Sequence, residues 1–176
     1  MKNSIKLTFC SIIAALSVIF MLLSYFPYFT YAVPAVTGLL VMVLVIELSL
    51  RWAFAAYIAA SLLIFLFAEP ESKLMYICLF GYYPILKAII EKLKKPFLEW
   101  ILKLLVFNAA VILVYFIFAG LFGISLEDFK ALGKYGAAIF LLLGNAVFVL
   151  YDIAVSRMAM FYIGTLHKRV KKMLKL

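Results

Sequence analysis

The sequence predicts an all-α, polytopic integral membrane protein with six transmembrane helices in one domain, residues 1–176. Three observations favour this fold class. Hydrophobic residues form 69% of the chain and charged residues 14%, whereas soluble domains average about 45–50% and about 25%. The apolar residues fall into six stretches, each close to the roughly 17–25 residues that a helix needs to cross a bilayer. Lysines and arginines collect at alternate junctions between these stretches.

Short polar, aromatic or charged segments separate the six stretches. An aromatic loop follows the first stretch, a tight turn at Arg51 the second, and a short acidic loop near Glu69 the third. A basic linker around Lys94 follows the fourth, and a polar segment precedes the sixth. Helices are expected because lipid offers the backbone no hydrogen-bond partners. The predicted spans are about 7–25, 33–50, 52–68, 74–90, 100–122 and 137–163.

The fourth span contains a proline within its apolar run. Pro84 follows Gly81 by three residues, and a proline inside a helix removes one backbone donor and bends the helix. We therefore expect a kink in this span, and kinked spans often border a cavity.

The positive charges predict the orientation. With both termini in the cytoplasm, all but three of the 17 lysines and arginines lie at or near cytoplasmic ends, and the exceptions are Lys73, Lys130 and Lys134. Such a bias normally fixes membrane topology. It also explains the net charge of +9 better than nucleic-acid binding does, so we expect a multi-pass protein of the cell membrane that binds no nucleic acid.

Groups suited to catalysis are scarce. His167 is the single histidine, and we expect it to be solvated within the basic tail. One histidine excludes an HExxH metal site, and the sequence contains no GxxxxGK[ST] motif for ATP. We therefore expect no enzymatic activity, no cofactor and no bound metal.

Four polar residues are predicted to share one layer in the inner half of the bundle. Glu47, Lys87 and Asp152 each lie about 20 Å from the outer end of their span at 1.5 Å per residue, and Asn108 falls near the same level. Because charged groups in a membrane usually face the bundle interior and pair, we expect Lys87 to contact Asp152, with Asn108 as a candidate third member. The alternative is that these residues reach the interface, with Glu47 and Arg51 pairing at i,i+4.

The outer half is rich in aromatic residues. Rings provide stacking area and amides fix orientation, so these residues suit a pocket for a small, largely planar organic molecule. An interfacial aromatic belt is the alternative for the loop residues, and an interhelical hydrogen bond is the alternative for Tyr83 and Asn145. The candidate substrate-binding residues are Tyr25, Tyr28, Tyr31, Tyr76, Tyr83 and Asn145.

Small residues in the first span suggest a partner. The segment 8–17 contains Ser11-x-x-x-Ala15 with Ala14 beside it, and small residues at this spacing permit close helix approach. With six short spans, basic ends and aromatic outer loops, the chain resembles the substrate-binding S component of an energy-coupling factor (ECF) vitamin transporter. The match to that family's Ala-x-x-x-Ala pattern is imperfect.

The resemblance implies that several protein chains carry out transport together, each with a separate role. An S component captures a vitamin or related micronutrient from the outer side, while a separate membrane coupling subunit and two ATPases supply energy. Ser11, Ala14 and Ala15 would then form the face for the coupling subunit. The pocket would lie at the first outer loop, the outer halves of spans 4 and 6, and the loop 125–134.

A different class of function also fits six spans without catalytic groups. The chain would then be a membrane scaffold or morphogenesis protein of the rod-shape-determining type, which holds partners in the lipid bilayer and binds no small molecule. Such a scaffold does not need Tyr83 and Asn145 for ligand contact, so these two residues separate the hypotheses.

Overall fold

All regular secondary structure in the part of the chain that the structure describes is helical. The structure is a computed structural model that describes residues 3–122 and 136–173. The main helices are α1 (Asn3–Leu22), α2 (Ala32–Glu47), α3 (Leu50–Phe67), α4 (Pro70–Met75), α5 (Tyr83–Ile90), α6 (Pro96–Phe122), α7 (Gly136–Thr165) and α8 (His167–Met173). The predicted all-α class is confirmed for these residues.

Five helical stretches among the described residues are long and apolar enough to cross a membrane. The second predicted span, α2, is also apolar but has 16 residues, which is about 24 Å at 1.5 Å per residue against a hydrocarbon core of about 30 Å. These properties suit a membrane-embedded protein. The five stretches are Asn3–Tyr25, Leu50–Phe67, Pro70–Leu93, Pro96–Val114 and Leu141–Thr165.

The fourth span is interrupted, as its proline predicts. After α4 the chain forms a π-helical segment, Tyr76–Phe80, and the Gly81 N–H donates to the Tyr76 carbonyl over 2.7 Å. A new helix, α5, then starts at Tyr83 with Pro84 in its first turn, where the missing N–H would have no intrahelical partner anyway. Short π segments inside helices are frequent at functional sites.

The tightest packing joins α1, α2 and α3. Ala53, Ala56 and Ala60 lie on one face of α3 and are at most 5% exposed. Their small side chains let α1 approach closely, so that Cys10 and Ile13 pack against Ala53 and Ala56 in one apolar cluster. Close approach of this kind stabilises helices in lipid, where hydrophobic burial supplies little driving force.

A glycine sets the distance between α2 and the interrupted span. A Cβ on Gly38 would lie 2.5 Å from the Phe80 carbonyl oxygen and 2.7 Å from the Tyr151 hydroxyl. Contacts under 3.0 Å force a neighbour to move. Gly38 therefore lets α2 touch both the π-helical segment and α7.

The last two long helices are less buried than the others. Only 11% of the residues in the apolar window of Pro96–Val114 and 22% of those in Leu141–Thr165 are buried, against 50% in Pro70–Leu93. A third apolar cluster connects α7 to α2 and α5, and its buried members are Met42, Tyr83, Phe148, Val155 and Tyr162.

Candidate functional site

A buried ion cluster joins α5, α6 and α7. The Lys87 ammonium forms an ion pair with the Asp152 carboxylate, and the Lys103 ammonium lies 3.2 Å from the same carboxylate. The three side chains are only 5–6% exposed. The predicted contact between Lys87 and Asp152 is confirmed, whereas the participation of Lys103 was missed.

Two further residues complete this cluster. Glu91 Oε1 lies 3.0 Å from the Lys87 ammonium and 2.9 Å from the Lys103 ammonium. The Tyr83 hydroxyl donates a hydrogen bond to Asp152. The cluster therefore balances two ammonium groups with two carboxylates, which limits the cost of burying charge. Because the Glu91 side chain is 43% exposed, the cluster runs from the surface into the bundle.

Asn108 does not join the ion cluster, which corrects the prediction of a third member. It faces Asn145 instead, and each Nδ2 donates to the other's Oδ1 over 2.9 and 3.0 Å. The remaining amide hydrogens bond to the carbonyls of Leu104 and Leu141. Asn145 therefore makes an interhelical hydrogen bond, the alternative that the sequence left open, and links α6 to α7.

Glu47 also lies apart from the ion cluster. Its Oε1 accepts a hydrogen bond from the Tyr162 hydroxyl over 2.7 Å and lies 2.8 Å from His167 Nδ1. The Glu47 side chain is 1% exposed and that of His167 is 30% exposed. The expectation of a solvated His167 is wrong, and the proposed i,i+4 pair of Glu47 with Arg51 is not among the ion pairs of the described residues.

Aromatic side chains line a narrow space between the interrupted fourth span and the last two long helices. The Phe107 and Phe148 rings stack with centroids 4.4 Å apart, and Tyr83 meets Phe148 edge to face at 5.1 Å. The enclosed space is about 10 Å³, roughly enough for one water. We call this space the aromatic crevice, lined by Leu79, Phe80, Tyr82, Tyr83, Val106, Phe107, Phe148 and Tyr151.

The aromatic loop between α1 and α2 is exposed, and hydrogen bonds from two of its tyrosines hold it to neighbouring segments. The Tyr25 hydroxyl donates to the Phe67 carbonyl over 2.9 Å, and the Tyr31 hydroxyl donates to Glu71 over 2.9 Å. This hydrogen bond to a carboxylate raises the pKa of Tyr31. Tyr28 is 98% exposed and adopts a positive φ of 75°, which is rare for a bulky residue.

Two predicted sites lie in the apolar interior. Tyr76 was predicted to contact substrate, yet it is 0% exposed and packs in a cluster with Met21 and Ala60. Ala14 was predicted to face a partner, yet it is buried in the same cluster. Ser11 and Ala15 are exposed on α1, as a partner face requires. The predicted pocket loop 125–134 lies outside the described residues.

Of the two missed members of the ion cluster, Glu91 carried a sequence signal. Tyr83, Lys87 and Glu91 follow one another at intervals of four residues, which places them on one face of a helix. This spacing predicts that a residue in contact with Lys87 also lies near Tyr83 and Glu91. No comparable spacing signal identified Lys103, since it lies on the next helix.

Comparison of this chain with protein-family models, with curated proteins and with solved structures finds no match. The chain forms an aromatic crevice, and the Tyr83–Asp152 and Asn108–Asn145 hydrogen bonds involve crevice residues or their sequence neighbours on the same helices. Its sequence contains no motif for ATP binding.

Proposed function

We propose that this protein is the membrane-embedded substrate-binding subunit of an ECF-type importer, which captures a small vitamin-like molecule and depends on separate coupling and ATPase subunits. The observation that carries the proposal is the aromatic crevice beside the interrupted fourth span. Stacked and edge-on rings there offer surface for a planar molecule, and the Tyr83 hydroxyl and the Asn108–Asn145 pair offer polar contacts nearby.

Binding at this place requires the crevice to widen. A space of about 10 Å³ is far below the roughly 300–1,000 Å³ of small-molecule sites. A movement of α6 and α7 loses less apolar packing than a movement of α1 to α3, because α6 and α7 are less buried. We therefore assign the described conformation to the ligand-free state.

The proposed topology has six spans with both termini in the cytoplasm. It counts α2 as a span, and it is supported by the positions of the lysines and arginines. Single cysteines placed in a variant lacking Cys10 and Cys78 test it through labelling of intact cells. A cysteine at Tyr28 should react with an impermeant maleimide, and one at Lys94 should not. The reverse pattern would invert the orientation.

A specific observation also supports the scaffold alternative. Tyr83 and Asn145, which were predicted to meet ligand, are engaged with Asp152 and Asn108. A scaffold needs such contacts only for rigidity. The two functions differ in whether a small molecule enters the crevice.

Mass spectrometry of the detergent-purified protein separates the two functions. We expect a copurified small organic molecule that the variant Val106→Trp, which fills the crevice, no longer retains. Val147→Trp is the matched control, because Val147 is 62% exposed on α7. Recovery of lipid alone, even after coexpression with coupling and ATPase subunits, would refute the transport proposal and leave the scaffold. Equal retention by both variants would place the binding site away from the crevice.

A further inference from the structure

The C-terminal helix α8 packs against the bundle. The chain bends after α7 ends at Thr165, and α8 runs from His167 to Met173. Val170 packs against the apolar cluster that contains Tyr162. His167 Nδ1 lies 2.8 Å from Glu47 Oε1. These two contacts fix one face of α8 toward the protein.

The docked helix lies at one end of the membrane-spanning bundle. Glu47 is the last residue of α2, and the short turn to α3 follows it. Because His167 contacts Glu47, His167 lies at the end of the bundle where α2 ends and α3 begins. The length of α7 agrees with this position. Its 30 residues extend about 45 Å, which exceeds the roughly 30 Å of hydrocarbon.

The face of α8 that points away from the protein is strongly basic. Its four cations are all exposed, and none forms an ion pair with a described residue. The buried Lys87 and Lys103 differ, since each is paired with carboxylates. The four cations are Lys168, Arg169, Lys171 and Lys172, and we call them the basic face.

We propose that the basic face is a binding surface for anionic phospholipid headgroups, and that the contact of His167 with Glu47 holds it in the orientation that this binding requires. Four unpaired cations within five residues, placed where the spans end, match a layer of negative headgroups in charge and position. This location favours lipid over an acidic protein segment. The proposal does not depend on transport.

The test compares lipid binding to the intact, detergent-purified protein by native mass spectrometry. The probes are dioleoyl phosphatidylglycerol and dioleoyl phosphatidylcholine at equal concentrations. We expect wild type to prefer phosphatidylglycerol. Each exposed cation near an anionic membrane contributes about five-fold in affinity, so replacing the four cations of the basic face by glutamine should reduce the preference by more than about ten-fold. Because these residues are exposed, the variant should fold normally.

Two further variants make the test specific. Lys73→Gln also removes one positive charge, but Lys73 lies in α4, away from α8, and this control should keep the wild-type preference. His167→Ala removes the docking contact and should weaken the preference while leaving the basic face intact. An unchanged preference in His167→Ala would overturn the positioning role. Equal binding of the two lipids by wild type, or no loss in the four-fold variant, would overturn the lipid surface and make an acidic protein segment the next candidate.

Discussion

The first three long helices and the last two are held in place by different kinds of contact. Helices α1 to α3 pack through small apolar residues such as Ala53, Ala56 and Ala60. Helices α6 and α7 are mostly exposed, and buried polar pairs join them to each other and to α5. In lipid, apolar packing distributes its stabilisation over many weak contacts, whereas polar pairs concentrate theirs in a few directional contacts. We therefore expect single substitutions to affect the two regions differently.

Loss of the central carboxylate should give the largest effect. Asp152→Asn leaves Lys87 and Lys103 buried with one shared acid, Glu91. Removing one partner of a buried ion pair costs about 3–5 kcal/mol, and we expect a loss of this size in the free energy of unfolding, measured by denaturation in detergent. Lys87→Met combined with Asp152→Asn should cost less than the sum of the single changes. A loss in the double variant equal to the sum of the two single losses would contradict a direct interaction between Lys87 and Asp152.

A matched truncation should separate the two regions. Ile64 on α3 is 0% exposed, whereas Ile153 on α7 is 44% exposed. Ile64→Ala should therefore cost about 2–5 kcal/mol, and Ile153→Ala should change the midpoint of thermal unfolding little. Similar losses in both variants would show that α7 is packed as tightly as α3.

The glycine contact between the two regions should be sensitive to one methyl group. Gly38→Ala places a Cβ against the Phe80 carbonyl and the Tyr151 hydroxyl, and overpacking costs about 1–3 kcal/mol. Gly164→Ala is the matched control, because nothing lies within 4 Å of its added Cβ. Thermal unfolding of both variants in the same detergent measures the difference, and equal stability would argue against close packing at Gly38.

Breaking the amide pair should have the smallest effect of the four. Polar contacts between membrane helices are worth about 0.6–1.7 kcal/mol, so Asn145→Ala should reduce the free energy of unfolding by about this amount. Asn108→Ala in the same background should then add little, because its partner is already absent. A double variant whose loss equals the sum of the two would contradict the reciprocal hydrogen bonds.

The sequence predicted most of the fold because its signals are local. Apolar stretches define helices where no water is present to satisfy the backbone, and Pro84 marked the interruption of the fourth span. The pairing of Lys87 with Asp152 was also predictable. Unpaired charge is costly inside a membrane, and few opposite charges lie at the same depth.

The depths and partners of the remaining polar residues were not predictable. Asn108, Glu47 and Asp152 were predicted to share one layer, yet Asn108 contacts Asn145 and Glu47 contacts Tyr162. Asn145, Asp152 and Tyr162 follow one another along α7 at intervals of about 10 and about 15 Å, so the three contacts lie at different depths. Counting residues along a helix gives a relative depth only when the position of each helix along the bundle is known, and the direction of a side chain depends on how that helix is rotated against its neighbours. The unknown rotation of α1 also explains why the sequence assigned Ala14 to the partner-binding surface of that helix, whereas Ala14 packs inside the bundle.

By itself the sequence determined the helical class, the membrane-suited composition and the unequal distribution of positive charge, because each depends on the kind and order of residues. Only the tertiary structure decided that Lys103 joins Asp152, that His167 reaches Glu47, and that Tyr76 lies in the apolar core. These contacts join residues distant in the chain, and they depend on the rotation and spacing of packed helices. Small residues such as Gly38 set that spacing.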